Sequence, residues 1–293
     1  MKSSTKLLLG SVAVSALMLT GGSAVAQLTG IAATKHNLGA SNDRTDENRS
    51  NVADLCVFCH TPHGSDTSAS APLWNRKLPT AAEADALYTT YDSLGTSTLD
   101  GNILTVGSVS LACLSCHDGT QALDTVLNAP GSGAFNANGA RIQVGGVDAT
   151  WTGSPRVTLT GADAGKLVPG VISNLGTDLS NDHPVGIIYG GFSRGNDAQG
   201  NPILIDADFK VPQSGTIGSG ATVWWVDTGD TGTGTREKTD MQLYTRGTPQ
   251  TPTGTLNEPY VECASCHDPH VTNATFLRIP NNASAVCLAC HTK

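Results

Sequence analysis

All eight cysteines of this 293-residue chain fall into four copies of Cys-x-x-Cys-His: Cys56/Cys59/His60, Cys113/Cys116/His117, Cys263/Cys266/His267 and Cys287/Cys290/His291. This spacing is the attachment signature of c-type haem. Two thiols three residues apart can add to the two vinyl groups on one edge of a porphyrin, and the adjoining histidine is then held over the iron as its proximal ligand. A lone Cys-x-x-Cys also serves thioredoxin-like redox centres and zinc. Here no cysteine is left over and every pair is followed by histidine, so four covalent c-type haems with their irons are expected. The last two pairs also read as Cys-x2-Cys-x20-Cys-x2-Cys, the upper limit of a four-cysteine zinc spacing, and disulfides would suit an exported chain. Neither reading accounts for four adjacent histidines.

Eight histidines occur in all, so four remain once the proximal ligands are assigned: His36, His63, His183 and His270. Four spare imidazoles face four haems. If each takes the open side of an iron as distal ligand, every haem is six-coordinate and the protein moves electrons rather than making bonds. Met241 is the one methionine beyond the leader and the alternative sixth ligand. His63 and His270 sit three residues after His60 and His267, in Cys-His-Thr-Pro-His and Cys-His-Asp-Pro-His. A histidine so close behind a proximal ligand emerges on the same side of that haem and must serve a different one, so closely packed haems are expected. His183 lies in Asn-Asp-His-Pro-Val, where Pro184 biases it toward an extended conformation. Either His183 or His36 could ligate at long range.

Met1 to Lys6, then an apolar run from Leu7 to Leu19 and Ala24-Val25-Ala26, has the pattern of a secretory signal over residues 1–26, with the mature chain starting at Gln27. The apolar run is too short to span a bilayer, and no membrane span is expected. The product is expected to be exported: extracellular, at the cell surface, or periplasmic. The chain has 17 basic against 25 acidic residues, with no basic patch to displace counterions from nucleic acid, which excludes that partner.

Aromatic residues make up only 5% of the chain, and glycine is abundant at 33 residues, so the peptide alone builds a thin core. Porphyrins can supply the missing apolar mass. The expected fold is therefore a multihaem cytochrome c: coil-rich, with short helices around the haem motifs and a few short strands in a middle insert. Residues 27–293 form a single tetrahaem domain. Residues 27–120 carry haems 1 and 2, a Gly/Thr-rich insert over 121–260 carries His183, and 261–293 carry haems 3 and 4. Thr80 to Glu83 is a capping-box pattern, and Asn282 or Ser284 can cap the last haem-bearing turn. Strand-like pieces lie at Arg156 to Thr160, Ile203 to Ile205 and Thr222 to Val226, with Trp224 and Trp225 as packing residues of a hairpin. A unit ending in Pro-His and then a Cys-Leu-x-Cys-His unit recur in both halves, a weak echo of a dihaem duplication.

Thr-Lys-His near the mature start, Cys-Val-Phe-Cys-His-Thr-Pro-His, Ala-Pro-Leu-Trp-Asn, Asn-Asp-His-Pro-Val, Cys-Ala-Ser-Cys-His-Asp-Pro-His and the closing Cys-Leu-Ala-Cys-His together resemble the exported tetrahaem cytochromes of extracellular nanowire filaments. The resemblance runs from about residue 30 to the end, but within the insert only through Asn-Asp-His-Pro. It implies bis-histidine haems stacked along a homo-polymer, with one histidine of each subunit, here His36 first and His183 second, ligating a haem in the next. Redox partner proteins or extracellular acceptors would then exchange electrons with it. A periplasmic tetrahaem shuttle keeps the same sites. A reductase of nitrite or another small oxyanion needs an open iron, commonly flagged by a lysine variant or a missing histidine, and neither sign is present, so no enzymatic activity is expected.

Overall fold

The computed structural model describes residues 30–43, 47–95, 101, 103–131, 135–153, 156–198, 200–218, 220–229, 234–246 and 258–293. The expected leader and the Gln27 start lie outside the described residues.

Short helices carry the motifs. Helix α1 spans Ala81–Leu87, α2 Ser108–His117, α3 Cys263–Cys266 and α4 Ala285–Cys290. The second motif closes α2, the third is α3 itself, and the fourth ends α4. The first motif is a single helical turn, with His60 N–H donating to Cys56 O at 2.9 Å. The same bond recurs from His267 to Cys263 (3.1 Å) and from His291 to Cys287 (2.9 Å). One such turn brings residues i, i+3 and i+4 to one face, so both thiols and the imidazole project together.

Helix growth is stopped just past the first three motifs. Pro62 and Pro269 disfavour helical geometry in the residue before them, and after His117 the chain turns at Gly119, which has φ +71°. Thr80 and Glu83 form the expected capping box on α1: Thr80 Oγ1 accepts the Glu83 N–H at 3.3 Å and Glu83 Oε2 accepts the Thr80 N–H at 2.8 Å. The expectation for α4 needs correcting. Ser284 occupies the N-cap at φ 62° without a side-chain cap, and the neighbouring Asn281 caps from outside by accepting the Val286 N–H at 3.1 Å.

Thr222–Val226 is a strand as expected, the middle of a three-stranded antiparallel sheet between Gln213–Thr216 and Met241–Leu243. Trp225 is buried in it, and Trp224 meets Phe192 edge-on at 5.2 Å. The Ile203–Ile205 segment forms a strand one residue earlier, Pro202–Leu204, paired with Ser193–Asn196. Arg156–Thr160 is not a strand. It makes one bridge, Val157 to Leu167, because Gly161 and Gly165, at φ +85° and +87°, turn the chain back before a ladder can extend.

The insert is not a separate excursion. Its strand Trp151–Thr152 pairs with Arg49–Ser50, and Ile187–Ile188 pairs with Tyr260–Val261. Three small cores result instead of one. Val57 and Phe58 of the first motif pack with Leu123, Ile142 and Trp151; Leu111 and Leu114 of α2 pack with Leu78 and Tyr88; Ala289 of the fourth motif packs with Tyr189, Val226 and Met241. Met241, the alternative iron ligand, is thus fully buried core in a strand.

Asn75 ties the first motif to the insert. It is fully buried, its Nδ2 donates to Val57 O (2.6 Å) and Asn128 O (2.9 Å), and its Oδ1 accepts the Asn128 N–H at 2.9 Å. Its own N–H donates to Cys59 O at 2.9 Å. Removing the amide strands buried backbone groups that cost about 1–3 kcal/mol each. Asn75→Ala is expected to destabilise the holoprotein by about 3 kcal/mol or more, measured by denaturant unfolding, with α1 unaffected.

Candidate functional site

Three of the four motif histidines are held through one ring nitrogen. His60 Nδ1 lies 2.8 Å from Pro72 O, His117 Nδ1 2.7 Å from Ser173 O, and His267 Nδ1 2.8 Å from Thr275 O. A carbonyl only accepts, so each Nδ1 carries the proton and each Nε2 keeps its lone pair for a metal. Among the spare histidines, His270 Nδ1 donates to Asp268 Oδ1 and His183 Nδ1 to Pro184 O, both at 3.1 Å. Their Nε2 atoms are likewise left as ligands.

Two pairs of imidazoles meet. The rings of His60 and His270 are 6.2 Å apart with an interplanar angle of 17°, and those of His36 and His117 are 6.0 Å apart at 77°. Metal–imidazole bonds of about 2 Å on opposite faces of one ion, with roughly 1 Å of ring half-width added at each end, give about 6 Å between centroids. Both pairs have the spacing that two imidazoles sharing one iron would have. His36 is enclosed, with Phe276 stacked on it at 4.2 Å and its Nδ1 buried without a hydrogen-bond partner. Burial, and next the neighbouring His117, push its pKa down to about 4. Burial also lowers that of His117. Both stay neutral, the form that binds metal.

His183 has its pKa lowered by desolvation although its side chain reaches solvent, and His291 nearby adds to the shift. Phe209 leans on His291 at 4.3 Å. His63 is exposed; only its backbone carbonyl is engaged, by Thr61 Oγ1 at 3.0 Å and Asn128 Nδ2 at 2.8 Å. Among the described residues neither His63 nor His267 has another histidine ring in contact.

The sulfurs of successive motifs adjoin. Burial and then the neighbouring Cys116 push the Cys59 thiol up to about 12. The Cys113 and Cys263 thiols share a hydrogen bond. Cys266 and Cys290, pushed up by burial to about 11 and about 12, each feel the other motif's sulfurs. None of the eight is in a disulfide. Burial keeps Cys59, Cys266 and Cys290 as neutral thiols, the group that adds to a vinyl edge. The zinc reading fails on geometry: among the described residues, the one group of three or more potential ligands within 4.8 Å is Asp227, Glu237 and Asp240. The residues present thus fit haem, with the thiols to bond the vinyl edge and the imidazole nitrogens to hold iron. When bound, the haem supplies a one-electron iron couple.

Buried polar contacts hold the motifs together. Ser110 Oγ of α2 donates to Glu262 Oε2 (2.5 Å) and accepts the Cys263 N–H (2.9 Å), while Arg246 Nη2 meets Glu262 Oε1 at 2.8 Å. Arg76, fully buried, donates to Ser115 O inside the second motif (2.7 Å), Leu123 O (2.8 Å) and Ala122 O (3.0 Å). The carbonyls that orient the rings, and Arg76, are invisible to sequence reasoning. A backbone acceptor has no residue signature, and one arginine among 17 basic residues does not stand out.

His36→Ala and His270→Ala are each expected to turn one haem from low spin to high spin. Near-parallel imidazoles split the iron dπ orbitals and near-perpendicular ones leave them close in energy, so the two losses remove different signals in electron paramagnetic resonance. The His270 variant should lose a rhombic signal and the His36 variant a strongly anisotropic one. Gly119→Ala is expected to cost about 1–3 kcal/mol and to loosen the His117 loop, since the added Cβ would lie 2.6 Å from Asn174 Nδ2 at a left-handed φ; thermal unfolding of the holoprotein reads it.

Residues 258–293 match the family model of the doubled CXXCH motif. No curated protein matches the chain. Together with thiols and imidazoles grouped in these turns, the doubled motif indicates a multihaem c-type cytochrome, a haem-binding protein of electron transfer.

Proposed function

We propose that all four turns carry haem and that the haems form one electron-conducting line in motif order, each iron closed on both faces by imidazole. The observation that carries this reading is the packing of successive motifs against one another: Cys59 and Cys116 share one core, Cys266 and Cys290 another, and α2, which ends in the second motif, holds the Cys263 N–H through Ser110 Oγ. Haems bonded at those cysteines would be close neighbours, as electron tunnelling between them needs. Irons held by His60 with His270 and by His36 with His117 would have no position left for a small substrate. Turnover of nitrite or hydroxylamine above that of free haem is not expected.

The finer reading is the subunit of an exported, extracellular homo-polymer. The family resemblance favours His36 as the ligand given to a neighbour, but its place against His117, 6.0 Å away in the same chain, favours a ligand kept at home. With His183 assigned to His291, which lies near it, the pair left over is His63 and His267. His63, exposed behind the first motif, is the better donor, with the iron held by His267 of the next copy as receiver. A head-to-tail contact of this kind does not close on itself and grows into a filament. In the alternative, a periplasmic shuttle, His63 and His267 meet within one chain.

Dilution of the holoprotein separates the two. A high-spin fraction near one haem in four is expected in the dilute monomer, and fibres in micrographs of concentrated samples. His63→Ala should abolish the fibres while leaving the other haems low-spin. Fully low-spin monomers that never assemble would establish the shuttle instead.

A further inference from the structure

Arg76 is an anomaly in this chain's interior. Its guanidinium is fully buried, and a guanidinium stays charged at any working pH. Its three hydrogen bonds all go to backbone carbonyls, at Ser115, Leu123 and Ala122, and its Nε has no partner. Among the described residues no carboxylate lies within ion-pair distance of it. Burying an unpaired charge is costly, so its retention calls for a use. The other guanidinium groups near the motifs are offset. Arg246 beside the third motif is paired with Glu262 at 2.8 Å. Arg278 grips Ala264 O at 2.9–3.0 Å in a way that parallels Arg76, but it is partly exposed and acts on Asp268.

Arg76 stands between the first two motifs. The preceding residue, Asn75, donates its N–H to Cys59 O at 2.9 Å, and Arg76 itself donates to Ser115, the residue before Cys116, at 2.7 Å. The sulfurs of Cys59 and Cys116 adjoin there, and the guanidinium acts electrostatically on the Cys59 sulfur. We propose that Arg76 is a potential-setting residue: its buried, unpaired positive charge raises the reduction potentials of the two haems attached at the first and second motifs above those at the third and fourth. The inference rests on the reading that those turns carry haem. Reduction adds one electron and removes one positive charge from the iron, so a nearby fixed cation favours the ferrous state. A unit charge roughly 10 Å away in an effective dielectric of about 20 changes an equilibrium constant about tenfold, which for a one-electron couple is about 59 mV. Electrons entering at the fourth motif would then run downhill to the first.

The test is a potentiometric titration of the whole holoprotein monitored by electron paramagnetic resonance, which reads the near-parallel His60/His270 site and the near-perpendicular His36/His117 site separately. Arg76→Gln is expected to lower both midpoints by a factor of about ten in the reduction equilibrium, while Arg76→Lys, which keeps the charge, holds them near the wild-type values. Unchanged midpoints in the Gln variant, or equal drops in both variants, would overturn the proposal. Should the Gln variant fail to accumulate, the wild-type protein decides: its first two haems are expected to be reduced before the other two, and the reverse order sinks the idea. Haem content of the purified protein keeps the two readings apart: absence of haem at the first two motifs overturns the site assignment and the role of Arg76 with it, whereas full haem content with unchanged midpoints overturns the role of Arg76 alone.

Discussion

Carbonyl groups at Pro72, Ser173 and Thr275 decide which nitrogen of His60, His117 and His267 is protonated, and the chemistry of the molecule depends on that choice. An imidazole protonated on Nε2 would offer its lone pair on Nδ1 instead, close to the backbone and turned away from the face the turn presents. By engaging Nδ1 the backbone leaves one lone pair on each ring, aimed by a hydrogen bond rather than by the side chain's own rotamer. The helical turn beneath it sets the two sulfurs on the same face. The placement of two sulfurs and one nitrogen is thereby compressed into a single short turn and one distant acceptor.

The three separate cores show what the insert is for. Each joins residues near a motif to residues distant in sequence: Phe58 to Trp151, Leu114 to Leu179, Ala289 to Val226. A chain with 5% aromatic residues cannot build one large core, and it distributes small ones where motifs need support. The strands of the insert are short because they act as clasps between loops, not as layers.

Much of the site is legible in the sequence because its chemistry depends on residue type. Cysteine pairs, the histidine after each and the count of spare histidines all point to ligands without reference to the fold, and the coil-rich character comes from scarce aromatics and abundant glycine. The capping box at Thr80 and the Thr222–Val226 strand are legible because their determinants are local. The hidden part is non-local. Ring orientation rests on main-chain oxygens, which every residue has. The pairing of His36 with His117 depends on how the long intervening segment folds back, and Arg156–Thr160 has strand-like residues whose pairing with the Leu167 segment is cut to one bridge by two turning glycines.

The acceptors of the three rings lie at very different separations along the chain: 8 residues for His267, 12 for His60 and 56 for His117. Loop-closure entropy grows with that span, and contacts of long range form late. The first site can therefore take shape soon after its own residues have emerged and the third quickly once the C-terminal stretch is made, whereas the second must wait for the insert to arrive. Of these three contacts the docking of Ser173 closes the widest loop and carries the largest entropic cost, so the second motif is the one whose assembly depends most on the rest of the chain.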